Sequence, residues 1–499
     1  MSLDSAPPPA AARFGAVPAP LVPVRILAID GSESTLPPFA FGLRRNRFTP
    51  SNGADNVRRR RQSAHHLLEG VEDRRLPNPA APRRPLGDTM GRRARQYRLL
   101  IYSHDSFGLG HLRRCRTIAH ALVGHRPDIS VLILSGSPII GSFSFRNRVD
   151  FVRIPGVIKL RRGDYTPLNL EIGIEETLAL RASIIRHTAE AFDPDLFLVD
   201  KEPWGLRGEV RETLVALKAR GTTLVLGLRD VMDEPRRLAI EWQRKRALAA
   251  LNDLYDDVWI YGLPEVCDPL SAIPLPPATA AKVRYTGYLR RTASPEEHSH
   301  SVPPALVGSP YLLVTTGGGG DGAQLVDWVL RAYEHTPDLP YPALLVLGPF
   351  MHSAMQADFI ARVERLEKVF AITFDAAIEN LMASAAGIVA MGGYNTFCEI
   401  LSFDKPALIV PRTAPRMEQL LRASRAEALG LASMLVADGD RPAETMAARL
   451  RDLPAQPRPS AVHLPALLDG LPVITEVVDG MLQEPARAGA RLAVAGQSG

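Results

Sequence analysis

From residue 98 onward the apolar residues of this chain keep two alternating rhythms. Short runs at Arg98 to His104, Val131 to Ser135, Leu196 to Asp200, Thr223 to Leu228, Val258 to Tyr261 and Val283 to Tyr288 have the length and content of buried strands. Between them Ile174 to Phe192, Gly208 to Arg220 and Arg236 to Asp253 repeat apolar positions at the spacing of a helix with one covered face. A second set follows, with strands near Tyr311, Leu344, Ala371, Ile388 and Leu408, each leading into a helical stretch. Such alternation predicts α/β domains, each a mostly parallel, doubly wound sheet covered on both faces. Residues 290–309, rich in Thr, Ser, Pro, Glu and His, break the rhythm and read as a linker. The expected order is therefore a first domain over 98–289, the linker, a second domain over 310–482 and a flexible tail over 483–499. Two domains of this kind facing each other enclose a cleft, and ligands bind beyond the carboxyl ends of their strands.

Residues 1–97 are different. They are rich in Pro, Ala and Arg, include Arg58-Arg-Arg-Arg61, and show no sustained period, so they are expected to be disordered. Met90, just before the first strand, is an alternative start, and the segment lacks the layout of a signal peptide. Its 16 Arg against 8 Asp plus Glu carry about +8 of the chain's net +5, leaving about −3 for the rest. A mildly acidic body argues against a nucleic-acid enzyme. Two readings of the basic segment remain, an arm for an acidic membrane surface or no function. Cys115, Cys267 and Cys398 have neither paired spacing for zinc nor an even disulfide framework, which suits a cytoplasmic protein. No run of about 18 apolar residues predicts a membrane-spanning helix.

Candidate chemistry lies where strands run into glycines. Met391-Gly-Gly-Tyr-Asn-Thr-Phe-Cys-Glu399 follows the run Ala386 to Ala390 and opens a helix. Gly392, Gly393, Asn395 and Thr396 thus place bare N–H groups and a helix dipole where a diphosphate can sit. Glu399, one turn further on, offers a carboxylate to ribose hydroxyls. Leu312 to Thr316 runs into Gly317-Gly-Gly-Gly-Asp-Gly322, which has neither the ending of a P-loop nor the spacing of a dinucleotide fingerprint. Gly318, Gly319, Gly320 and Gly322 let a ligand approach the main chain. At Glu418 and Gln419, where another strand turns into a helix, side chains suited to sugar hydroxyls stand in the first turn. In the first domain, Asp105-Ser-Phe-Gly-Leu-Gly-His111 joins a strand to a helix, with Gly108 and Gly110 beside His111. A helix N-terminus lowers the histidine pKa and favours the neutral, proton-accepting imidazole. Asp200-Lys-Glu-Pro-Trp-Gly-Leu-Arg-Gly208, at another strand end, is either an acceptor wall or a salt-bridged turn.

With these residues assembled, the chain resembles the two-domain GT-B nucleotide-sugar glycosyltransferases, whose domains are Rossmann-like. The closest likeness is to the family 28 type represented by the lipid-linked N-acetylglucosaminyltransferase of peptidoglycan synthesis. Gly108-Leu-Gly-His111 is similar to that family's first glycine loop, and Gly318-Gly-Gly-Asp-Gly-Ala323 to its second, with Gly320 where the family has serine. Gly393, Thr396 and Glu399 match the donor motif, which implies diphosphate contacts from the first two and ribose contacts from the glutamate. Glu418-Gln419 resembles the helix start that holds donor-sugar hydroxyls. A narrower likeness joins Gly108-Leu-Gly-His-Leu-Arg-Arg-Cys115 to the nucleotide-sugar hydrolases of pseudaminic acid synthesis, which share the fold and deliver the glycosyl group to water.

The expectation is an inverting, metal-independent transferase acting on a nucleoside-diphosphate sugar, uridine-linked, with His111 as general base. Either His104 or Asp105 orients His111, or His104 is itself the base. No cofactor is implied, because the nucleotide sugar is a substrate. The resemblance implies a hydroxyl acceptor, lipid-linked, in bacterial polysaccharide or glycolipid synthesis, and peripheral contact with the inner face of the plasma membrane. Rival readings are a hydrolase of the same fold, a silent nucleotide-sugar-binding protein and an epimerase.

Overall fold

The apolar runs become strands in the computed structural model, which describes residues 24–27, 33–36, 96–105, 109–160, 164–293, 302–318, 320–437 and 439–483. Within the segment expected to be disordered, β1 (Val24–Leu27) and β2 (Glu33–Leu36) pair antiparallel. Strands of four residues are too short to show a period. The other positions of that segment up to residue 95, and the tail from residue 484, lie outside the described residues.

The first sheet contains β3 (Tyr97–Ser103), β4 (Ile129–Ser135) and β5 (Val149–Arg153). A ribbon of β6 (Val157–Lys159) and β7 (Tyr165–Pro167) then stands apart from it. The sheet resumes with β8 (Leu196–Asp200), β9 (Thr223–Arg229), β10 (Asp257–Tyr261) and β11 (Val283–Tyr285). Its order is β11-β10-β9-β8-β3-β4-β5, and every pairing is parallel. The chain therefore leaves β3 in one direction and returns on its other side at β8, which opens a crevice at the carboxyl ends of these two strands. Alternation along β3 explains why the whole run is apolar. Leu99 and Ile101 pack with Cys115, Ile118 and Leu122 of the helix Gly110–His125. Leu100 and Tyr102 pack on the other face with Ile185, Ala189, Leu214 and Leu217.

The second sheet repeats the plan with β12 (Leu312–Thr315), β13 (Ala343–Val346), β14 (Val369–Ile372), β15 (Gly387–Ala390), β16 (Ala407–Ile409) and β17 (Ser433–Met434). Its order is β14-β13-β12-β15-β16-β17, again all parallel, with the reversal between β12 and β15. This is the predicted α/β class. The helix expected over 236–253 is two helices, Pro235–Lys245 and Ala247–Asp253, because Arg246 is left-handed at φ 51° and its carbonyl accepts from Trp204 Nε1 at 3.1 Å.

The chain crosses between domains twice, and the crossings touch. Gly287, at φ +87°, passes so close to the returning chain that a Cβ there would meet the Ala466 carbonyl at 2.4 Å. The sequence expectation put residues up to 482 in the second domain. The last helix, Gly470–Gln483, instead returns to the first, where Ile474, Val478 and Leu482 join the core of the helix Gly110–His125. Asp479 there accepts from His125 at 2.6 Å and from Arg126 at 3.2 Å.

Candidate active site

Both strand-order reversals open on one cleft of about 760 Å³, within the usual range for small-molecule sites. His111 is the second residue of the helix that leaves β3, and Asp200 is the last of β8, so adjacency at the reversal brings them together. Asp200 Oδ2 accepts from His111 Nδ1. A carboxylate only accepts, so the proton sits on Nδ1 and leaves Nε2 as the acceptor. Arg114 holds the same carboxylate, with Nε at 2.9 Å and Nη2 at 2.6 Å from Oδ1. Burial alone would raise the Asp200 carboxyl, but Arg114 and His111 hold it well below the usual range. Burial lowers the His111 imidazole to about 4 against the pull of Asp200, so the ring is neutral at physiological pH.

Two further sequence candidates lie behind His111. The Asp105 carboxylate is not bonded to His111: it accepts from Ser135 Oγ at 2.6 Å and from the Leu112 N–H at 3.2 Å, fastening the loop to the helix start. His104 lies deeper than His111. It is buried beneath the cleft, edge-on to His111 with ring centroids 5.6 Å apart, and its Nδ1 lies 3.4 Å from Tyr102 Oη. Burial lowers its pKa too. Gly110 lines the cleft, whereas Gly108 lies outside the described residues.

The facing wall is the helix Tyr394–Ser402, capped by Gly393, whose Cβ position is open space. Gly393, Asn395, Thr396 and Glu399 all line the cleft. Asn395 also joins the two helix starts: its Nδ2 donates to the Gly110 carbonyl at 2.9 Å, and its Oδ1 accepts from Arg291 at 2.8 Å. Gly392 stands behind, at φ +75°, where a Cβ would meet Ile409 at 2.6 Å. Glu399 is fully buried; Oε1 accepts from Arg113 Nη2 at 2.6 Å, and Oε2 has no partner among the described residues. Burial pushes its carboxyl up to about 7, with Arg113 opposing and the nearby Glu379 adding to the rise.

The second glycine run divides in two. Gly317 and Gly318 line the cleft beside Thr315 and Thr316. Gly320 and Gly322 are not among the lining residues, and Gly322 serves packing, since a Cβ there would lie 2.2 Å from that of Thr316. Gly319 lies outside the described residues. Glu418 and Gln419 line the cleft at the start of the helix Glu418–Ala428. Glu418 accepts from Arg229 of β9 at 2.6 Å and from Arg412 at 3.2 Å, and these cations with Arg422 lower its carboxyl despite burial. Gln419 Oε1 accepts from the Arg412 N–H at 3.0 Å.

Other residues on the walls carried little sequence signal. Arg113 and Arg114 stand two and three residues after His111, and Lys201 follows Asp200, so their neighbours were legible but not their contacts. Arg291, in the expected linker, is buried, and besides Asn395 it donates to Thr117. Arg422 is fully buried and binds Asp230 at the end of β9 through Nε at 2.7 Å and Nη2 at 2.6 Å. Its Nη1 donates to the Gly392 carbonyl at 3.0 Å. One guanidinium thus ties the glycine turn of the second domain to the first.

Residues 312–461 match the model of the glycosyltransferase family 28 C-terminal domain. Among solved structures the chain is similar to a UGT transferase from Siraitia grosvenorii in complex with UDP, at TM-score 0.50 and 13% identity, over 78% of this chain and 100% of that one. It is also similar to Phytolacca americana UGT2 complexed with UDP-2fluoro-glucose and pterostilbene, at TM-score 0.49 and 14% identity over 80% and 99% of the two chains. A third is the glycosyltransferase VinC in complex with DTDP, at TM-score 0.48 and 17% identity over 77% and 98%. No curated protein matches the chain.

Proposed function

We propose that this chain, whose residues 312–461 match the glycosyltransferase family 28 C-terminal domain, transfers a sugar with inversion from a nucleoside diphosphate to a hydroxyl acceptor. The observation that carries this reading is one cleft with two unlike walls. On one, Asp200 fixes His111 as a neutral base whose Nε2 is the accepting nitrogen. On the other, a glycine-capped helix start and the unpartnered Glu399 Oε2 await an anion and a hydroxyl.

The donor diphosphate docks at Gly393 and Thr396, with Gly318 alongside, and Glu399 accepts from the ribose. Glu418 and Gln419 receive the sugar. The acceptor oxygen attacks the anomeric carbon from the side opposite the diphosphate, its proton passes to His111 Nε2, and the bond to the leaving phosphate oxygen breaks. General-base help of this kind contributes about 10²–10⁴ in rate. Exposed N–H groups and the helix dipole stabilise the leaving diphosphate without a metal. The nucleotide sugar is a substrate, and no cofactor takes part. Uridine as the base, and a lipid-linked acceptor of polysaccharide or glycolipid synthesis met at the inner face of the plasma membrane, extend this reading through the family resemblance. No helix among the described residues is long and apolar enough to cross a membrane.

Release of UDP from UDP-sugars, measured with and without candidate acceptors, is the test. Acceptor-dependent release supports transfer. Acceptor-independent release replaces it with hydrolysis, and binding without release points to a silent binding protein or an epimerase.

A further inference from the structure

Lys201 directly follows the base-holding Asp200 where β8 ends, and it sits there at φ +73°. A non-glycine residue in that region is strained and persists where the surroundings require it. Its main-chain N–H donates to the Gly227 carbonyl at 2.7 Å, which fixes the backbone, and the side chain lines the cleft. Burial lowers the ammonium to about 8.

The neighbouring carboxylates are committed elsewhere. Asp200 holds Arg114 and His111. Glu202 accepts from Lys245 at 2.9 Å, and Glu418 from Arg229 at 2.6 Å. Glu241 lies 3.0 Å from Arg416 and Asp233 3.7 Å from it. Lys201 makes no ion pair or side-chain hydrogen bond among the described residues. Lys159, the exposed last residue of β6, also lines the cleft, shares Glu202 and Arg416 with Lys201 as charged neighbours, and makes no ion pair among the described residues; its ammonium lies 5.9 Å from the Tyr165 ring centroid. The Lys201 charge, drawn partly out of water without a partner, is costly there, and a ligand that brings the opposite charge removes that cost; Lys159 adds a solvated cation beside it.

We propose that Lys201 and Lys159 form an anion subsite, beside the base and across from the nucleotide wall, that takes a carboxylate or phosphate borne by a substrate. This rests on the transferase reading and narrows it. The anion belongs either to the transferred sugar, as in a uronic acid, or to the acceptor. The nucleotide diphosphate is not the occupant, since its wall is on the other domain.

The chain has seven lysines, so reductive ¹³C-dimethylation, which keeps the charge, leaves few signals, and Lys201→Arg and Lys159→Arg assign two of them. UDP alone should bind wild type and Lys201→Met equally, by calorimetry on the full chain. If neither binds UDP, the nucleotide assignment fails, and the Lys201 signal still reports on the subsite through titration with glucuronate and glycerol phosphate. If the sugar carries the anion, UDP-glucuronate binds wild type about tenfold or more tighter than UDP-glucose, and Lys201→Met removes the difference while Lys201→Arg keeps it. If the acceptor carries it, UDP-glucuronate shows no advantage, and glucuronate or glycerol phosphate added to the UDP-saturated protein shifts the Lys201 signal. Failure of all these anionic probes to shift that signal, with equal affinities in wild type and Lys201→Met, overturns the subsite.

Discussion

His111 and Asp200, 89 positions apart in sequence, share a hydrogen bond that exists because β3 and β8 are neighbours at the point where strand order reverses. The same carboxylate neutralises the buried Arg114. Asp200→Asn should therefore do two things at once. It frees the imidazole to take the wrong tautomer, and kcat should fall by about 10²–10⁴. It also leaves Arg114 buried without an anion, so the melting temperature should drop. His111→Ala should lose a similar factor in kcat with nucleotide binding nearly intact, while His104→Ala should do less. Retention of more than about a tenth of turnover in the His111 variant, only about 1.4 kcal/mol of barrier, would remove the base role.

Glu399 is read as the ribose acceptor because Oε2 is buried without a partner among the described residues. Glu399→Gln keeps the shape but weakens a charge-assisted bond, so affinity for UDP should fall by about 1.5–3 kcal/mol in a calorimetric titration. Arg113 is the cation that holds the raised Glu399 carboxyl down. Arg113→Met should let it rise further, so the variant should bind UDP weakly at pH 7 and recover part of its affinity at pH 9. Affinity independent of pH in that variant would dissociate Glu399 from the nucleotide.

Elements whose signal is local were legible in the sequence. The helix Ile174–Phe192 and β8 fall at the residues their apolar spacing predicts. The helix start at Tyr394 follows from the glycine pair before it. Partners joined only by sheet order were not legible: nothing in the strand run Leu196 to Asp200 says that its last carboxylate meets His111, so the nearer Asp105 and His104 stood in for it. The strands β5, β6, β7 and β17 were missed because they are mostly half-buried or exposed and so lack the continuous apolar run that marks β8. Asn395 shows the converse, a residue read for a ligand that also bonds one domain to the other.

The Asp230–Arg422 pair joins the first domain to the glycine turn of the second, since Arg422 also holds the Gly392 carbonyl. Both side chains are fully buried, and removing one leaves the other charged and unpaired, at a cost of about 3–5 kcal/mol. Asp230→Ala should lower the melting temperature by several degrees and, by loosening the turn, weaken UDP binding. Unchanged UDP affinity in a variant that melts early would confine the pair to stability.

Two titrations should separate kcat from kcat/KM. His111 acts as a base only when unprotonated, and burial lowers its pKa to about 4, so kcat should hold from pH 8 down to about 5 and fall below that. An unshifted imidazole would put that limb near ~6.5. Glu399 accepts from ribose most strongly when ionised, and burial raises it to about 7 in the free protein. Because kcat/KM reports the free enzyme, its limb for the donor should lie near that higher value, with KM rising below it until it levels off at the value of the Glu399→Gln variant. Glu399→Gln should abolish the upper limb in kcat/KM and leave the kcat profile in place. A single shared limb near 6.5 in both parameters would mean that neither group is tuned as its surroundings imply, and would return the assignment of the base to open question.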